Sequence, residues 1–141
     1  MKNIFLDSNI LMDIFANRQP FVKASLQIYK LGVDNKVNLY TSSNTITTLH
    51  YLLKKFISED KIRMALEEIL ENIQKIAVDI NIIRKSLKSS HKDFEDAIQI
   101  TSAQSIHNMD CIVTRDLKDF KNSEIKVYTP DEFLTKINTN H

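Results

Sequence analysis

Three aspartates stand where an α/β protein would bring them together. Asp7 and Asp116 follow short apolar runs typical of buried strands, and Asp96 lies near the start of a strongly periodic helical segment. In an open α/β sheet, the carboxyl ends of strands and the starts of the following helices meet along one edge. Gathered carboxylates repel one another unless a cation joins them. The pattern therefore predicts a divalent-cation site for metal-assisted displacement at phosphorus or a carbonyl carbon.

Each acidic residue has a second interpretation. Asp93 lies three residues before Asp96 on the same helical face, where an acidic side chain is typical of a helix N-cap; direct or water-mediated metal contact is the alternative. Asp7 could also act as a cap, and Asp96 could simply interact favourably with the helix dipole. Asp119 and Glu95 are interpreted as surface charges.

The predicted cofactor is Mg²⁺ or Mn²⁺, and the predicted metal ligands are Asp7, Asp96, Asp116 and, less directly, Asp93. Both ions prefer oxygen ligands and keep several waters. Two or three carboxylates could therefore hold the ion and leave positions for a phosphate oxygen and a nucleophilic water. That arrangement suits phosphodiester hydrolysis.

The elements that must position these residues alternate along the chain. Strands are predicted at 3–7, 38–41, 76–78, 111–114 and 126–128, and helices at 8–16, 22–33, from 42–44 to about 56, 60–74, 81–87, 94–108 and 131–137. Alternation of this kind predicts a three-layer α/β/α fold with a mostly parallel central sheet. At 141 residues and 43% hydrophobic content, the chain is expected to form one domain over 1–141.

Three segments resemble the PIN-domain nucleases in their order and approximate spacing: FLDSNIL at 5–11, DFEDAIQ at 93–99 and VTRDLKDF at 113–120. The resemblance covers nearly the whole chain. It implies a PIN-like fold and a metal-dependent endoribonuclease, with Asp7, Asp96 and Asp116 as catalytic residues. Many such proteins are toxins of toxin–antitoxin pairs. The implied partners are therefore RNA, an antitoxin protein and a second copy of the chain in a homodimer.

The chain departs from this family at one position. PIN nucleases usually place a further acidic residue early in the helix after the second strand, and the corresponding residue here is Thr48. No carboxylate lies between Thr41 and Ile57. A neutral hydroxyl can hold a metal-bound water but adds no charge, so metal affinity is expected to fall.

Composition excludes several classes. Gly32 is the only glycine, so the sequence contains neither a Walker phosphate loop nor a dinucleotide-binding fingerprint, since both need several glycines. The single cysteine, Cys111, allows no internal disulfide, and we find neither a long apolar span nor a leader segment. A cytoplasmic protein without membrane contact is expected.

The net charge of +1 gives no global attraction to nucleic acid, so RNA must be bound by a local basic patch. Candidates flank the acidic motifs: Arg84, Lys85, Lys88, His91, Lys92, Arg115, Lys118 and Lys121. A solvated lysine-rich surface is the alternative.

Two other functions compete with the nuclease. The first is a catalytically degenerate PIN-like domain that binds RNA or protein, with Thr48 marking the loss of activity. The second is a phosphoacceptor or phosphatase α/β domain, since those also place Asp after the first strand. Receiver domains would need an earlier acidic pair, and haloacid-dehalogenase enzymes would need a second Asp where this chain has Asn9.

Overall fold

The computed structural model describes residues 1–139; the last two residues of the predicted domain, Asn140 and His141, lie outside the described part. The strands are β1 (Lys2–Leu6), β2 (Val37–Ser42), β3 (Gln74–Ile76), β4 (Cys111–Val113) and β5 (Val127–Tyr128). The helices are α1 (Ser8–Phe15), α2 (Val22–Val33), α3 (Ser43–Leu53), α4 (Glu59–Asn72), α5 (Ile80–Lys88), α6 (Phe94–Gln104), α7 (Leu117–Phe120) and α8 (Pro130–Thr139).

The five strands form one sheet in the order β3-β2-β1-β4-β5, and all four neighbouring pairs are parallel. Helices cover both faces. Because successive side chains of a strand point to opposite faces, Ile4 and Leu6 pack towards α1, α2, α3, α4 and α8, whereas Phe5 packs towards α5, α6 and α7. The predicted three-layer fold is confirmed.

The central strand β1 is where the chain order reverses. From β1 the chain builds β2 and β3 to one side, and later adds β4 and β5 on the other side. The backbone amide of Asp7 continues the pairing by donating to the carbonyl of Val113 at 3.0 Å. Ligand sites of open α/β sheets lie at such a switch point, outside the carboxyl ends of the strands.

Several element boundaries differ from those predicted. Helix α4 ends at Asn72 because Ile73 is extended (φ −120°, ψ 136°), and β3 therefore begins at Gln74 instead of 76. Ile73 is buried and lies four residues after Ile69, so the spacing of apolar residues alone places it in the helix. Helix α3 ends at Leu53, short of Phe56, and α6 ends at Gln104, short of 108; the four-residue helix α7 was not predicted.

The single glycine has a packing role. A Cβ built on Gly32 of α2 would lie 2.3 Å from Cδ1 of Leu39 on β2, so this helix and this strand approach closely there. No helix in the described range of 1–139 combines the length and the apolarity needed to cross a membrane.

Candidate functional site

The predicted site residues lie at the switch point of the sheet. Asp7 directly follows β1, Asp116 lies three residues after β4, and Asp96 lies in the first turn of α6. Asp7 and Asp96 line one pocket, and Asp116 lies close to Asp96. The predicted convergence of these elements is therefore what the structure shows.

Asp7 is held on three sides. Its Oδ1 accepts hydrogen bonds from the Ser8 amide (2.8 Å) and from Nε2 of Gln99 (3.2 Å), and its Oδ2 accepts one from the Thr114 hydroxyl (2.8 Å). The side chain caps α1, but it is also turned towards the pocket, so capping and metal binding are compatible. Burial raises the pKa of the Asp7 carboxyl, and these hydrogen bonds oppose the rise. The residue is only 4% exposed.

Gln99 is a site residue that the sequence interpretation missed. It lies one turn after Asp96 on α6 and is buried. Its Oε1 accepts a hydrogen bond from the Ser42 hydroxyl at 2.5 Å, while its Nε2 donates to Thr45 Oγ1 at 2.9 Å and to Asp7. A polar residue one turn after an acidic one, inside the apolar run of α6, is the sequence signal that could have indicated it.

Three carboxylates form the closest acidic group among the described residues. Asp96, Asp116 and Asp119 each offer an oxygen, and these three atoms all lie within 4.8 Å of one another. Asp119 is exposed, as its interpretation as a surface charge implied, but α7 turns its carboxylate onto Asp116. We call Asp96, Asp116 and Asp119 the carboxylate cluster.

Two carboxyl groups of the cluster have raised pKa values. The pKa of Asp96 is raised to about 7, first by burial and then by the charges of Asp7, Asp93, Asp119 and Asp116. The pKa of Asp119 is also raised, chiefly by its hydrogen bond with Asp116. Carboxyls with raised pKa values in a crevice are typical of functional sites.

Asp93 is the helix cap that its position predicted. Its Oδ1 accepts a hydrogen bond from the Asp96 amide at 2.9 Å, at the start of α6. Asp116 caps α7 in the same way, with a longer bond of 3.4 Å from the Asp119 amide. Asp93 does not belong to the carboxylate cluster, so its contact with a metal stays a prediction.

Two pockets border the cluster. The first, which we call the threonine pocket, has a volume of about 270 Å³ and is lined by Asp7, Ser8, Asn44, Thr45, Thr47, Thr48, Glu95, Asp96 and Gln99. The second, which we call the lysine pocket, has a volume of about 90 Å³ and is lined by Ser90, His91, Lys92, Asp93, Lys118, Asp119, Lys121 and Asn122. Thr48 thus lies in the same pocket as Asp7 and Asp96, where the family's usual carboxylate was expected.

The basic residues proposed for RNA contact separate into groups. His91, Lys92, Lys118 and Lys121 line the lysine pocket, whereas Lys85 lines a different pocket beside β3.

Arg115 forms an ion pair with Asp13, outside the carboxylate cluster. Its guanidinium pairs with both oxygens of the fully buried Asp13 and lies 3.9 Å from the ring centroid of Phe21. This pairing ties the loop between β4 and α7 to Asp13 of α1.

Asn9 has a comparable structural role. Its amide nitrogen donates to Thr114 Oγ1 at 3.2 Å, and its oxygen accepts from the Arg115 amide at 3.4 Å. Thr114 Oγ1 also accepts from the Asp116 amide at 3.1 Å. Thr114 thereby links Asp7 at the end of β1 to the loop that carries Asp116.

Comparison with known proteins agrees with this geometry. The family model described as "PIN domain" matches residues 3–118. The chain is 31% identical to Ribonuclease VapC1 of Aquifex aeolicus over 143 aligned positions, which cover 98% of this chain and 97% of that protein.

Solved structures give the same picture. The chain is similar to a chain of a toxin–antitoxin complex from Klebsiella pneumoniae, with 27% identity and a TM-score of 0.67 over 90% of this chain and 97% of the other. VapBC2 from Rickettsia felis, solved bound to a DNA fragment from its promoter, shares the fold at 17% identity and a TM-score of 0.69, covering 90% and 98% of the two chains. Together with the aspartates at the switch point, the match over most of its length shows that this chain belongs to the PIN-domain family.

Proposed function

We propose that this protein is a metal-dependent endoribonuclease that hydrolyses RNA phosphodiester bonds. The observation that carries the proposal is the carboxylate cluster, whose three oxygens lie within 4.8 Å of one another beside the buried Asp7. The 31% identity to a ribonuclease over nearly the whole chain supports the same activity.

The donor set fits a hard divalent cation. All the candidate ligands are carboxylate oxygens, the type that Mg²⁺ and Mn²⁺ prefer. Asp96, Asp116 and Asp119 would hold the ion. Asp7 accepts hydrogen bonds from Ser8, Gln99 and Thr114 and lines the same pocket as Asp96, so its carboxylate lies beside the proposed position of the ion. When bound, such an ion lowers the pKa of a water and neutralises charge on the phosphate oxygens.

Neighbouring residues of the chain hold the carboxylates of Asp7 and Asp119 in position. Gln99 and Thr114 donate to Asp7 from two directions, and both donors are themselves hydrogen-bonded to neighbours. Capping of α7 by Asp116 fixes Asp119 one helical turn later. Because the carboxylates are positioned before substrate binds, little reorganisation is required during the reaction.

Thr48 supports a second candidate, a PIN-like domain that binds RNA or protein without cleaving. Its hydroxyl lines the threonine pocket where the family usually has a carboxylate. Asp119, however, provides a third carboxylate on the other side of Asp96. The lack of a carboxylate at residue 48 therefore does not exclude catalysis, because Asp119 supplies one nearby. An RNA cleavage assay separates the two candidates.

Partners follow from the same relatives. Since a 27% identical chain belongs to a toxin–antitoxin complex, we propose that this protein is the toxin of such a pair and acts on RNA in the cytoplasm. The homodimer implied by the family resemblance stays a prediction. A mass in solution equal to one chain would contradict it.

The proposal is tested with purified protein and a mixed panel of RNAs. We expect cleavage with Mg²⁺ or Mn²⁺, none with EDTA, and at least about a tenfold loss in Asp96→Asn. Asp60→Asn, on the exposed surface of α4, is the matched control that removes the same charge away from the site. RNA binding without metal-stimulated cleavage would favour the degenerate binder.

A further inference from the structure

The lysine pocket shares a wall with the carboxylate cluster. Asp119 lines the pocket and also belongs to the cluster, and Asp93 lines the pocket on the α6 side. A group seated in the pocket would therefore be an immediate neighbour of a group seated on the aspartates.

The pocket presents positive charge that the protein leaves available. Lys92 and Lys121 are exposed, and within residues 1–139 neither makes an ion pair at 4 Å or less. Lys118 is also exposed, and its charge acts on Asp119. Three ammonium groups thus surround a depression whose only opposing charges are Asp93 and Asp119.

His91 provides an independent observation. Its Nδ1 is buried and has no hydrogen-bond partner within the described residues. Buried polar atoms without a partner are rare and call for an explanation. In the tautomer that carries a proton on Nδ1, this nitrogen is a donor without an acceptor among the described residues.

The two pockets differ in size and charge. The lysine pocket has a volume of about 90 Å³ and is lined by three lysines, which suits an anionic group such as a phosphate. The threonine pocket is three times larger and is lined by no lysine or arginine.

We propose that the lysine pocket binds the RNA phosphate next to the one being cleaved. The inference rests on the proposed function for the identity of the substrate and adds where its backbone lies. Lys92, Lys118 and Lys121 hold the neighbouring phosphate beside His91, while the scissile phosphate lies on the carboxylate cluster. The RNA backbone then runs between the lysine pocket and the threonine pocket, across the carboxylate cluster.

The first experiment measures binding of a short single-stranded RNA to the full chain in EDTA, by fluorescence anisotropy over a range of salt concentrations. Lys92→Ala and Lys121→Ala should each weaken binding about fivefold at 0.1 M salt and lower the slope of log K against log salt, by less than the value of about 0.7 for one whole phosphate contact to a single strand, since the other lysines still hold that phosphate. Lys30→Ala is the control, because Lys30 is an exposed lysine of α2 on the opposite side of the sheet.

The second experiment locates the phosphate. A methylphosphonate, which carries no charge, replaces one linkage at a time on either side of the mapped cleavage position. One linkage adjacent to the cleaved bond should weaken binding in the wild type and weaken it less in Lys121→Ala, because one of the three lysine contacts to that phosphate is already missing.

The outcomes separate the two proposals. Cleavage by the wild type together with unchanged affinity and salt slope in Lys92→Ala and Lys121→Ala would overturn the inference and leave the nuclease intact. Lysine-dependent RNA binding without any metal-stimulated cleavage would overturn the nuclease and with it the placement of this phosphate beside a cleaved one, leaving only a phosphate-binding pocket. Equal losses in Lys30→Ala would mean that only the overall charge matters, which would also overturn the inference.

Discussion

The threonine pocket and the lysine pocket lie on two sides of the same acidic cluster, and they differ in charge. The threonine pocket contains hydroxyls, two amides and the carboxyl groups of Asp7, Glu95 and Asp96, and no lysine or arginine lines it. The lysine pocket contains three ammonium groups and a histidine nitrogen without a partner. Asp96 lies at the threonine pocket, and its pKa is raised to about 7, first by burial and then by the charges of Asp7, Asp93, Asp119 and Asp116. The comparison shows that acidic side chains dominate one side of the site and lysines the other, as the two proposals require.

The largest expected effect comes from removing charge at the threonine pocket. Asp7→Asn should lower RNA cleavage at least about tenfold, because one anionic oxygen is lost at nearly constant volume. The variant should remain folded, since the Asn oxygen can still accept from Ser8 and Gln99. Cleavage rate and melting temperature are measured together. Wild-type activity in a folded variant would show that Asp7 is only a helix cap.

Adding charge to the same pocket is the converse change. Thr48→Glu should tighten Mg²⁺ or Mn²⁺ binding by about tenfold, or about 1.4 kcal/mol, because a hard cation prefers a carboxylate to a hydroxyl. The metal-free variant should be less stable than the wild type, since another carboxylate adds repulsion.

Isothermal titration of metal tests this change, with Thr48→Gln as the uncharged control of similar size. Equal affinities in the wild type and in Thr48→Glu would mean that residue 48 does not reach the ion.

A smaller effect is expected at the boundary with the lysine pocket. Asp93→Ala should lower the free energy of unfolding by about 0.5–2 kcal/mol, because α6 loses its N-cap. Cleavage should fall much less than in Asp7→Asn. Urea denaturation and a cleavage assay on the same preparation check both statements. A catalytic loss as large as that of Asp7→Asn, with unchanged stability, would make Asp93 a ligand instead of a cap.

The smallest expected effect is the pH dependence of the metal-free protein. The pKa of Asp96 is about 7 in the folded state and near 3.8 ordinarily, so the folded state binds more protons between these values. The free energy of unfolding should therefore fall as the pH rises from about 4 to about 7. The fall should be modest because Asp96 is half-buried and partly screened by solvent.

The control for this prediction is Asp96→Asn. The variant should show a shallower fall over the same range, measured by denaturant titration at each pH. An identical pH profile in the variant would mean that Asp96 does not carry the raised pKa.

The fold could be predicted from the sequence because the signals for strands and helices are local. The apolar run before Asp7 ends with β1, and the run before Thr114 ends with β4, to within one residue in each case. Parallel strands bring these two ends to the same edge of the sheet. Boundaries were less accurate where burial and helical spacing coincide. Ile73 is buried in an extended conformation and was counted with the helix before it.

The missed parts of the site depend on contacts that no short window of sequence contains. Asp119 joins the cluster only because α7, a helix of four residues, turns it back onto Asp116. Four residues are too few for a periodic signal. Arg115 looked like a free cation beside an acidic motif, but it pairs with Asp13, 102 positions earlier in the chain.

The most direct test of the central claim, that the carboxylate cluster binds the catalytic cation, is metal titration into Asp119→Asn beside the wild type and Asp60→Asn. Mg²⁺ or Mn²⁺ affinity is measured by calorimetry, and RNA cleavage is followed at each metal concentration. We expect Asp119→Asn to bind metal more weakly and to need more of it for half-maximal cleavage, with Asp60→Asn matching the wild type. Unchanged metal affinity and unchanged metal dependence of cleavage in a folded Asp119→Asn would contradict the claim.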